Sequence, residues 1–533
     1  MKSFKHGLPF IILILLSLQA QAQRSMTLQD VMKFEQIRSA SISEDGKWIT
    51  YSAVPDRGDP FVYVHSTDGK VEYSLPLADN PIFSRDGKWL AARNTIPALE
   101  AENAKLDKKK STKTGMILLE TKSGPVQAIT NVKDFSFTNN SGWLIYQSDS
   151  KGKSGDSKPG ETKEGTNLHL LPLEAQDTIL IPFVTDYAID SLAMHIAYLV
   201  SDTLPENNGL YVLSFSSIAE PVRIFGDSTT WIDNLTWNNV TGSLFFLAGE
   251  MDDDDRRTDA ALYTWAEGQD HAEKILSDND LAEGWKVYHT NELEFSKNGK
   301  RLFIGIKPES EIIPYEEEQD SISSLYNQEE ILAKREVDVW HWNDPYINSN
   351  QKIRWKNEKN KIYTGVYFLE EERFVQLADS EMPGVYTGQS KIFLGYSDIP
   401  YERRSTWDGR FRDYYIVDIY SGKKERVLVA QEHTVRLSPD GRFLAYYRDR
   451  HWHLVNTETL EDVNLTSEIE TSFADEDWDY PADVPDCGIE GWINQSEAVL
   501  IYDKYDIWQF STDEPSSKCL TEGKGRATHM QFE

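Results

Sequence analysis

The sequence predicts an all-β protein, a β-propeller made of about seven to eight four-stranded blades. Three observations support this prediction. A short phrase consisting of a turn and an alternating run recurs along the chain, aromatic residues make up 12% of the sequence, and apolar runs with helical spacing are scarce. Aromatic and β-branched residues in short runs favour strands over helices.

The recurring phrase is clearest in LSPDGRFLAYYRDRHWHLV at 437–455. Pro439 sets the backbone angle of the first corner of a type I turn, Asp440 suits the second corner, and Gly441 accepts the left-handed conformation that follows. The run at 443–447 is apolar on both sides of the alternation, so we expect a strand that is covered on both faces.

Copies of the phrase return at intervals of about 40 to 60 residues, the period expected of a four-stranded blade. One blade alone would leave an apolar face bare, so the blades must stack on each other. A β-sandwich could use the same turns and strands, but it does not explain so many similar units. The copies are anchored near Ser43, Ser84, Thr138, Asp190, Trp237, Ser296, Gln389, Ser438 and Asn494.

The blades are predicted to occupy residues 24–533, with an insertion at about 308–350 that carries one short helix candidate at 320–338. Three polar tracts hold too few apolar residues to order themselves and are predicted to be surface loops. They span 100–115, 148–166 and 308–321. The chain stops at Glu533 on entering a strand, which leaves the completeness of the last blade open.

The N-terminus predicts export. Residues 1–22 combine Lys2 and Lys5 with a short apolar stretch and the small residues Ala20 and Ala22, the pattern of a cleaved signal peptide. No later stretch is long and apolar enough to insert into a bilayer. We therefore expect a periplasmic or secreted protein that does not enter the membrane after cleavage.

The net charge limits the kinds of partner, and the cysteine content leaves one disulfide possible. The formal net charge of −32 repels phosphate backbones and argues against nucleic acid as a partner. Cys487 and Cys519 are the two cysteines, and whether they form a disulfide or stay as separate thiols is open. The sequence does not predict the oligomeric state.

No motif for catalysis or metal binding is found. G-x-S-x-G, H-E-x-x-H and G-x-x-x-x-G-K-[ST] do not occur, so no catalytic, cofactor or metal residue is assigned and the substrate-binding residues are unknown. Weaker candidates for metal or substrate binding are better explained as polar surface residues than as ligands. They are the acidic run MDDDDRR at 251–257, the pair His451 and His453, and the acidic pairs Glu370-Glu371 and Glu329-Glu330.

The turn phrase S-x-D-G-[KR]-[WF]-[LI] resembles the WD40-like repeats of TolB-type and prolyl-oligopeptidase-type propellers. Three longer stretches resemble secreted bacterial serine peptidases of the S9 family, which includes the dipeptidyl peptidases. They are VDVWHWNDPYINSNQ at 337–351, RDYYIVDIYSGKKERVL at 412–428 and DCGIEGWINQSEAVLIYDKYDIWQF at 486–510.

The resemblance implies a propeller that lies over a C-terminal α/β-hydrolase domain and restricts access to short or unfolded peptides. That hydrolase domain is absent from this chain, so no catalytic residue can be assigned by resemblance. We expect the non-catalytic propeller portion of an exported S9-type peptidase, with peptides or a hydrolase domain as partners. The alternatives are a stand-alone TolB-like propeller that binds a protein or a glycan, and a propeller that cleaves glycans with carboxylates.

Overall fold

The computed structural model describes residues 25–106, 114–124, 126–148, 165–175, 177–227, 229–252, 256–312, 326–329, 339–514 and 516–532. The predicted all-β class is confirmed, and the chain forms the antiparallel four-stranded blades of a β-propeller. It divides into two compact units. Unit 1 comprises residues 1–194 and 200–204, and unit 2 comprises residues 195–199 and 205–533. The predicted signal peptide at 1–22 lies outside the described residues.

Unit 1 contains the first twelve strands. Strands β1–β4 and β5–β8 form two four-stranded sheets in chain order, and β9–β12 also lie side by side in chain order. The strands are β1 Glu35–Ile42, β2 Trp48–Pro55, β3 Phe61–Ser66, β4 Glu72–Pro76, β5 Ala78–Phe83, β6 Trp89–Asn94, β7 Gly115–Glu120, β8 Val126–Thr130, β9 Val132–Phe137, β10 Trp143–Ser148, β11 Thr166–Pro172 and β12 Ile179–Ile189.

Unit 2 contains the remaining strands, apart from the last residue of β13. Strands β16–β19, β25–β28, β29–β32 and β33–β36 form four-stranded sheets, and β20–β24 form a five-stranded sheet in which both β20 and β21 pair with β22. The strands are β13 His195–Val200, β14 Gly209–Ser214, β15 Ser217–Phe225, β16 Thr230–Trp237, β17 Leu244–Glu250, β18 Ala261–Trp265, β19 Glu273–Leu276, β20 Trp285–Val287, β21 Glu294–Phe295, β22 Arg301–Pro308, β23 Tyr363–Phe368, β24 Arg373–Gln376, β25 Gly384–Tyr386, β26 Ile392–Ser397, β27 Arg412–Asp418, β28 Lys424–Gln431, β29 Val435–Leu437, β30 Phe443–Arg448, β31 His451–Asn456, β32 Asp462–Asn464, β33 Ile489–Ile493, β34 Ala498–Tyr502, β35 Ile507–Ser511 and β36 Ser517–Cys519.

Helices are few and short in the described residues. The α-helices are α1 Leu28–Val31, α2 Ala98–Leu106, α3 Asn348–Glu358 and α4 Lys524–Thr528. Single 3₁₀ turns lie at Pro205–Asn207, Asp278–Asp280, Glu309–Glu311, Ile399–Tyr401 and Arg404–Thr406. None of the helices within the described ranges has the length and apolar character needed to cross a bilayer.

The repeated turn has the predicted geometry. Gly441 adopts a φ of 80°, and its N–H donates to the Ser438 carbonyl oxygen at 2.9 Å. The Ser438 hydroxyl closes the turn with two hydrogen bonds. It donates to Asp440 Oδ1 at 2.7 Å and accepts from the Phe443 N–H at 2.9 Å. Ser43 makes the same pair of bonds, at 2.6 and 3.0 Å. The buried serine therefore explains why the phrase begins with Ser or Thr.

Apolar residues on both faces of the central strands build the core. In β30, Phe443, Ala445 and Tyr447 pack toward β33–β36, whereas Leu444 and Tyr446 pack toward β25–β28. This alternation continues within each unit, so that consecutive sheets share an apolar layer. The prediction of strands covered on both faces is confirmed, and the last sheet, β33–β36, has four strands.

Two segments differ from the sequence prediction. The tract at 100–115 was expected to be a loop, but its first part belongs to α2, because ALEAENAKL consists largely of strong helix formers and Lys105 pairs with Glu102 at 2.9 Å. The connection between β22 and β23 runs to residue 362 and carries α3, beyond the expected insertion at about 308–350. The helix candidate at 320–338 lies outside the described residues apart from 326–329.

Candidate functional site

The paired histidines predicted as a weak metal candidate have separate partners. His451 Nδ1 lies 3.0 Å from Thr466 Oγ1, and His453 Nδ1 lies 3.4 Å from Asp462 Oδ1. The His453 ring also stacks on Tyr446 at 4.8 Å, and burial lowers its pKa. Each imidazole is thus held by its own neighbours within the blade.

The acidic candidates are exposed where the structure describes them. Asp252 and Arg256 close a turn through the Arg256 N–H, which donates to Asp252 Oδ1 at 2.8 Å, and residues 253–255 are outside the described part. Glu370 pairs with Lys300 at 2.8 Å, and its neighbour at position 371 is also exposed. Glu329 is exposed, and position 330 lies outside the described residues.

The two cysteines are free thiols. Burial raises the pKa of Cys487 to about 12, which makes it a poor nucleophile at neutral pH. Cys519 Sγ accepts a hydrogen bond from the Gly523 N–H at 3.3 Å. The surroundings of Cys487 are acidic rather than electropositive, because nearby aspartates and Glu476 add to the increase in its pKa.

Unit 2 presents a surface of exposed aromatic residues. Trp340, Trp342, Trp355 and Trp407 expose between 52% and 69% of their surface. They come from residues 339–358, which include α3, and from 399–411, which connect β26 to β27. We call these two stretches the aromatic surface. Exposed aromatic side chains that are grouped on one surface are typical of sites that contact other molecules.

Hydrogen bonds and ring contacts join the two stretches of the aromatic surface. Arg403 Nη1 donates to Asn343 Oδ1 at 2.7 Å, and its guanidinium lies 5.0 Å from the centre of the Trp342 ring. Tyr346 hydrogen-bonds to Glu402. Burial raises the pKa of both groups, and the Glu402 charge adds to the increase for Tyr346.

A buried carboxylate anchors the 399–411 stretch to its sheet. Asp413, only 1% exposed, accepts a hydrogen bond from the Tyr401 hydroxyl and another from the Ala430 N–H at 3.0 Å. Arg426 Nη1 lies 3.1 Å from the other carboxylate oxygen. These bonds attach the 399–411 stretch to β27 and β28. The backbone that carries its exposed side chains is therefore held in place.

Phe411 belongs to the aromatic surface and also lines a cavity. The Arg404 guanidinium covers its ring at 4.4 Å, and the Tyr401 ring lies 6.0 Å away. The cavity has a volume of about 500 Å³. Its lining is Phe411, Ala430, Gln431, Glu432, His433, Tyr447, Arg448, Asp449, Arg450, Ala482, Asp483 and Val484.

Three of the lining residues bring metal-ligating atoms together. The carboxylates of Glu432 and Asp483 and the His433 imidazole place one ligand atom each within 4.8 Å of one another. Glu432 and His433 are half-buried, and Asp483 is exposed. Gly409 leaves room for the Glu432 side chain, because a Cβ there would lie 1.8 Å from Glu432 Oε1.

The cavity wall beside this cluster is fixed by other contacts. The His433 ring meets Tyr447 edge to face at 5.5 Å. Arg448 Nε donates to Gln431 Oε1 at 3.0 Å, and its Nη2 donates to the Val429 carbonyl at 2.9 Å. These two bonds hold the Arg448 guanidinium against the end of β28.

Sequence reasoning missed this cluster. Glu432 and His433 follow β28 directly, whereas Asp483 lies in the long connection between β32 and β33. No motif has this spacing, and only the packing of one blade on the next brings the residues together. The adjacent Glu432 and His433 at the end of a strand were a signal for a metal site, but a weak one.

No protein-family model matches the chain, and no curated protein matches it. Solved structures that it resembles include the β-propeller domain of the Trilobed protease from Pyrococcus furiosus, at 9% identity and a TM-score of 0.30, covering 75% of this chain and 98% of that one. A eukaryotic initiation factor shows 13% identity and a TM-score of 0.37, covering 81% and 89%. Acylaminoacyl peptidase from Pyrococcus horikoshii shows 11% identity and a TM-score of 0.29, covering 80% of this chain and 58% of the peptidase.

Proposed function

We propose that this chain is the non-catalytic propeller portion of an exported S9-type serine peptidase. In this role it docks on a hydrolase domain and limits which peptides reach it. The single observation that carries the proposal is the resemblance of 337–351, 412–428 and 486–510 to that family. In the fold these stretches supply part of the aromatic surface, β27 with most of β28, and the strands β33–β35 of the last sheet.

The aromatic surface supports a docking role. Interfaces concentrate their binding energy in a few tryptophan, tyrosine and arginine side chains, and this surface combines Trp342 and Trp407 with Arg403. Arg403 is already oriented by Asn343, so little side-chain entropy would be lost on binding. The occupant we propose is the hydrolase domain, because the family resemblance implies one.

The cavity beside this surface supports a peptide-binding role. Its volume of about 500 Å³ suits a few residues of a peptide, and its lining mixes Phe411 with carboxylates and arginines. Such a lining can pair with both the ammonium and the carbonyl groups of a peptide chain. Export through the signal sequence at 1–22 would place this activity in the periplasm or outside the cell.

The nucleotide sequence after codon 533 tests the proposal. We expect an open frame that encodes G-x-S-x-G and, after it, the aspartate and histidine of a serine hydrolase. A fluorophosphonate probe should label the extended chain and leave the 533-residue chain unlabelled.

A stop codon at position 534 with no such frame would refute the peptidase role. The stand-alone TolB-like propeller would then be the better account of the chain. Labelling of the 533-residue chain itself would refute its non-catalytic character, since it would reveal a nucleophilic serine.

A further inference from the structure

We propose that Glu432, His433 and Asp483 form a binding site for a divalent transition-metal ion, with Zn²⁺ as the best match to the donor set. This inference is independent of the peptidase role. It concerns a site within unit 2, at the cavity lined by these three residues.

The donor chemistry selects the class of ion. One imidazole nitrogen with two carboxylate oxygens suits Zn²⁺ and its neighbours in the first transition row, whereas Ca²⁺ and Mg²⁺ prefer oxygen donors alone. Three protein donors also leave one position of a tetrahedral ion for water or a ligand, as in catalytic zinc sites.

The geometry allows coordination with small side-chain movements. Ligand atoms about 2.0–2.1 Å from a tetrahedral ion lie about 3.4 Å from one another. The three ligand atoms here lie within 4.8 Å of one another, so they need to close by little more than one ångström. Asp483 is exposed and can make most of this movement, while Gly409 leaves space for Glu432.

A buried tyrosine without a hydrogen-bond partner in the described part of the chain lies in the wall of this cavity. Tyr447 lines the cavity and is 0% exposed, and its hydroxyl has no hydrogen-bond partner among the described residues. Buried hydroxyls are rarely left without a partner, and a small movement of the cavity wall on metal binding would let a bound water reach this one. The nearby Arg448 guanidinium does not compete for the carboxylates, because Gln431 and a backbone carbonyl engage it.

Metal binding would join two connections that are distant in the sequence. Glu432 and His433 belong to the β28–β29 turn, and Asp483 belongs to the β32–β33 connection. An ion that bridges them would hold the long connection against the neighbouring sheet and fix the rim of the cavity. The protein should therefore be more resistant to proteolysis between β32 and β33 when the metal is bound.

Titration of the purified 533-residue chain with Zn²⁺ tests the site. After treatment with a chelator and removal of the chelator, we expect one ion to bind per chain with saturation. His433→Gln and Asp483→Asn should each weaken binding at least about tenfold, because loss of a direct ligand costs no less than loss of an outer-sphere partner. The matched controls are His271→Gln and Asp479→Asn, which change exposed residues outside the cluster and should bind as the parent does.

Substitution by Co²⁺ provides a readout that a purely structural effect would not move. The visible absorption of bound Co²⁺ should change in His433→Gln and stay unchanged in His271→Gln, while equal urea midpoints without metal show that each variant is folded. No saturable binding of Zn²⁺, or equal binding by all four variants and the parent, would overturn the proposal.

Discussion

The serine hydroxyl that closes the repeated turn can be removed by substituting Ser438. This side chain is 2% exposed, and its hydroxyl makes two hydrogen bonds, to Asp440 and from the Phe443 N–H. Water can replace the first bond in part, because Asp440 exposes 31% of its side chain. The second bond has no such replacement, since Phe443 is buried at 5% exposure.

The expected cost of Ser438→Ala follows from these two bonds. An unsatisfied buried N–H costs about 1–3 kcal/mol, and the partly replaced bond adds about 0.5 kcal/mol, so we expect a loss of about 2 kcal/mol. Ser438→Thr should retain most of the stability, because Thr138 makes the equivalent bonds in another copy, at 2.8 and 3.1 Å.

Urea denaturation followed by tryptophan fluorescence measures this loss. Ser517→Ala is the matched control, because this serine is exposed on β36 and its removal should change the free energy of unfolding by less than about 0.5 kcal/mol. If Ser438→Ala costs no more than Ser517→Ala, the serine does not hold the turn, and the physical explanation of the repeat fails.

Two further predictions test other parts of the structure. The hydrogen bond from Ser43 is the main cause that lowers the pKa of Asp45 to about 2, so the stability it provides is complete above its unfolded pKa of about 3.9 and is lost as pH falls toward 2. The difference in urea midpoint between the parent and Asp45→Asn should therefore shrink between pH 5 and pH 2, and a difference independent of pH would contradict this. Gly409→Ala should displace the Glu432 carboxylate and weaken Zn²⁺ binding with little change in urea midpoint; unchanged Zn²⁺ affinity would show that this contact does not position the ligand.

The repeat could be predicted from the sequence because its chemistry is local. Pro439, Asp440 and Gly441 determine one turn among neighbours, and the apolar run after them requires cover on both faces. The structure adds what the letters alone did not reveal, the hydroxyl of Ser438 that closes the turn. A local rule also failed at α2, where charged residues suggested a loop although their helix propensity is high.

The candidate site could not be predicted because its parts meet only through tertiary packing. Glu432 and His433 come together with Asp483 when the β29–β32 and β33–β36 sheets stack. His451 and His453 attracted attention because alternate strand residues share a side, yet each has its own partner in the structure. Spacing along the chain was thus informative within a strand and uninformative between blades.

Docking between this chain and the hydrolase domain that we propose to follow residue 533, prepared as a separate polypeptide, tests the functional account most directly. Titration calorimetry should show binding that Trp407→Ala weakens at least about tenfold, as expected of an exposed interface tryptophan that is 69% accessible in the free chain. Tyr480→Ala, which removes an aromatic ring that is 67% exposed outside the aromatic surface, should leave the affinity unchanged. Absence of binding, or equal affinities for the two variants and the parent, would contradict the proposal that the aromatic surface docks the catalytic domain.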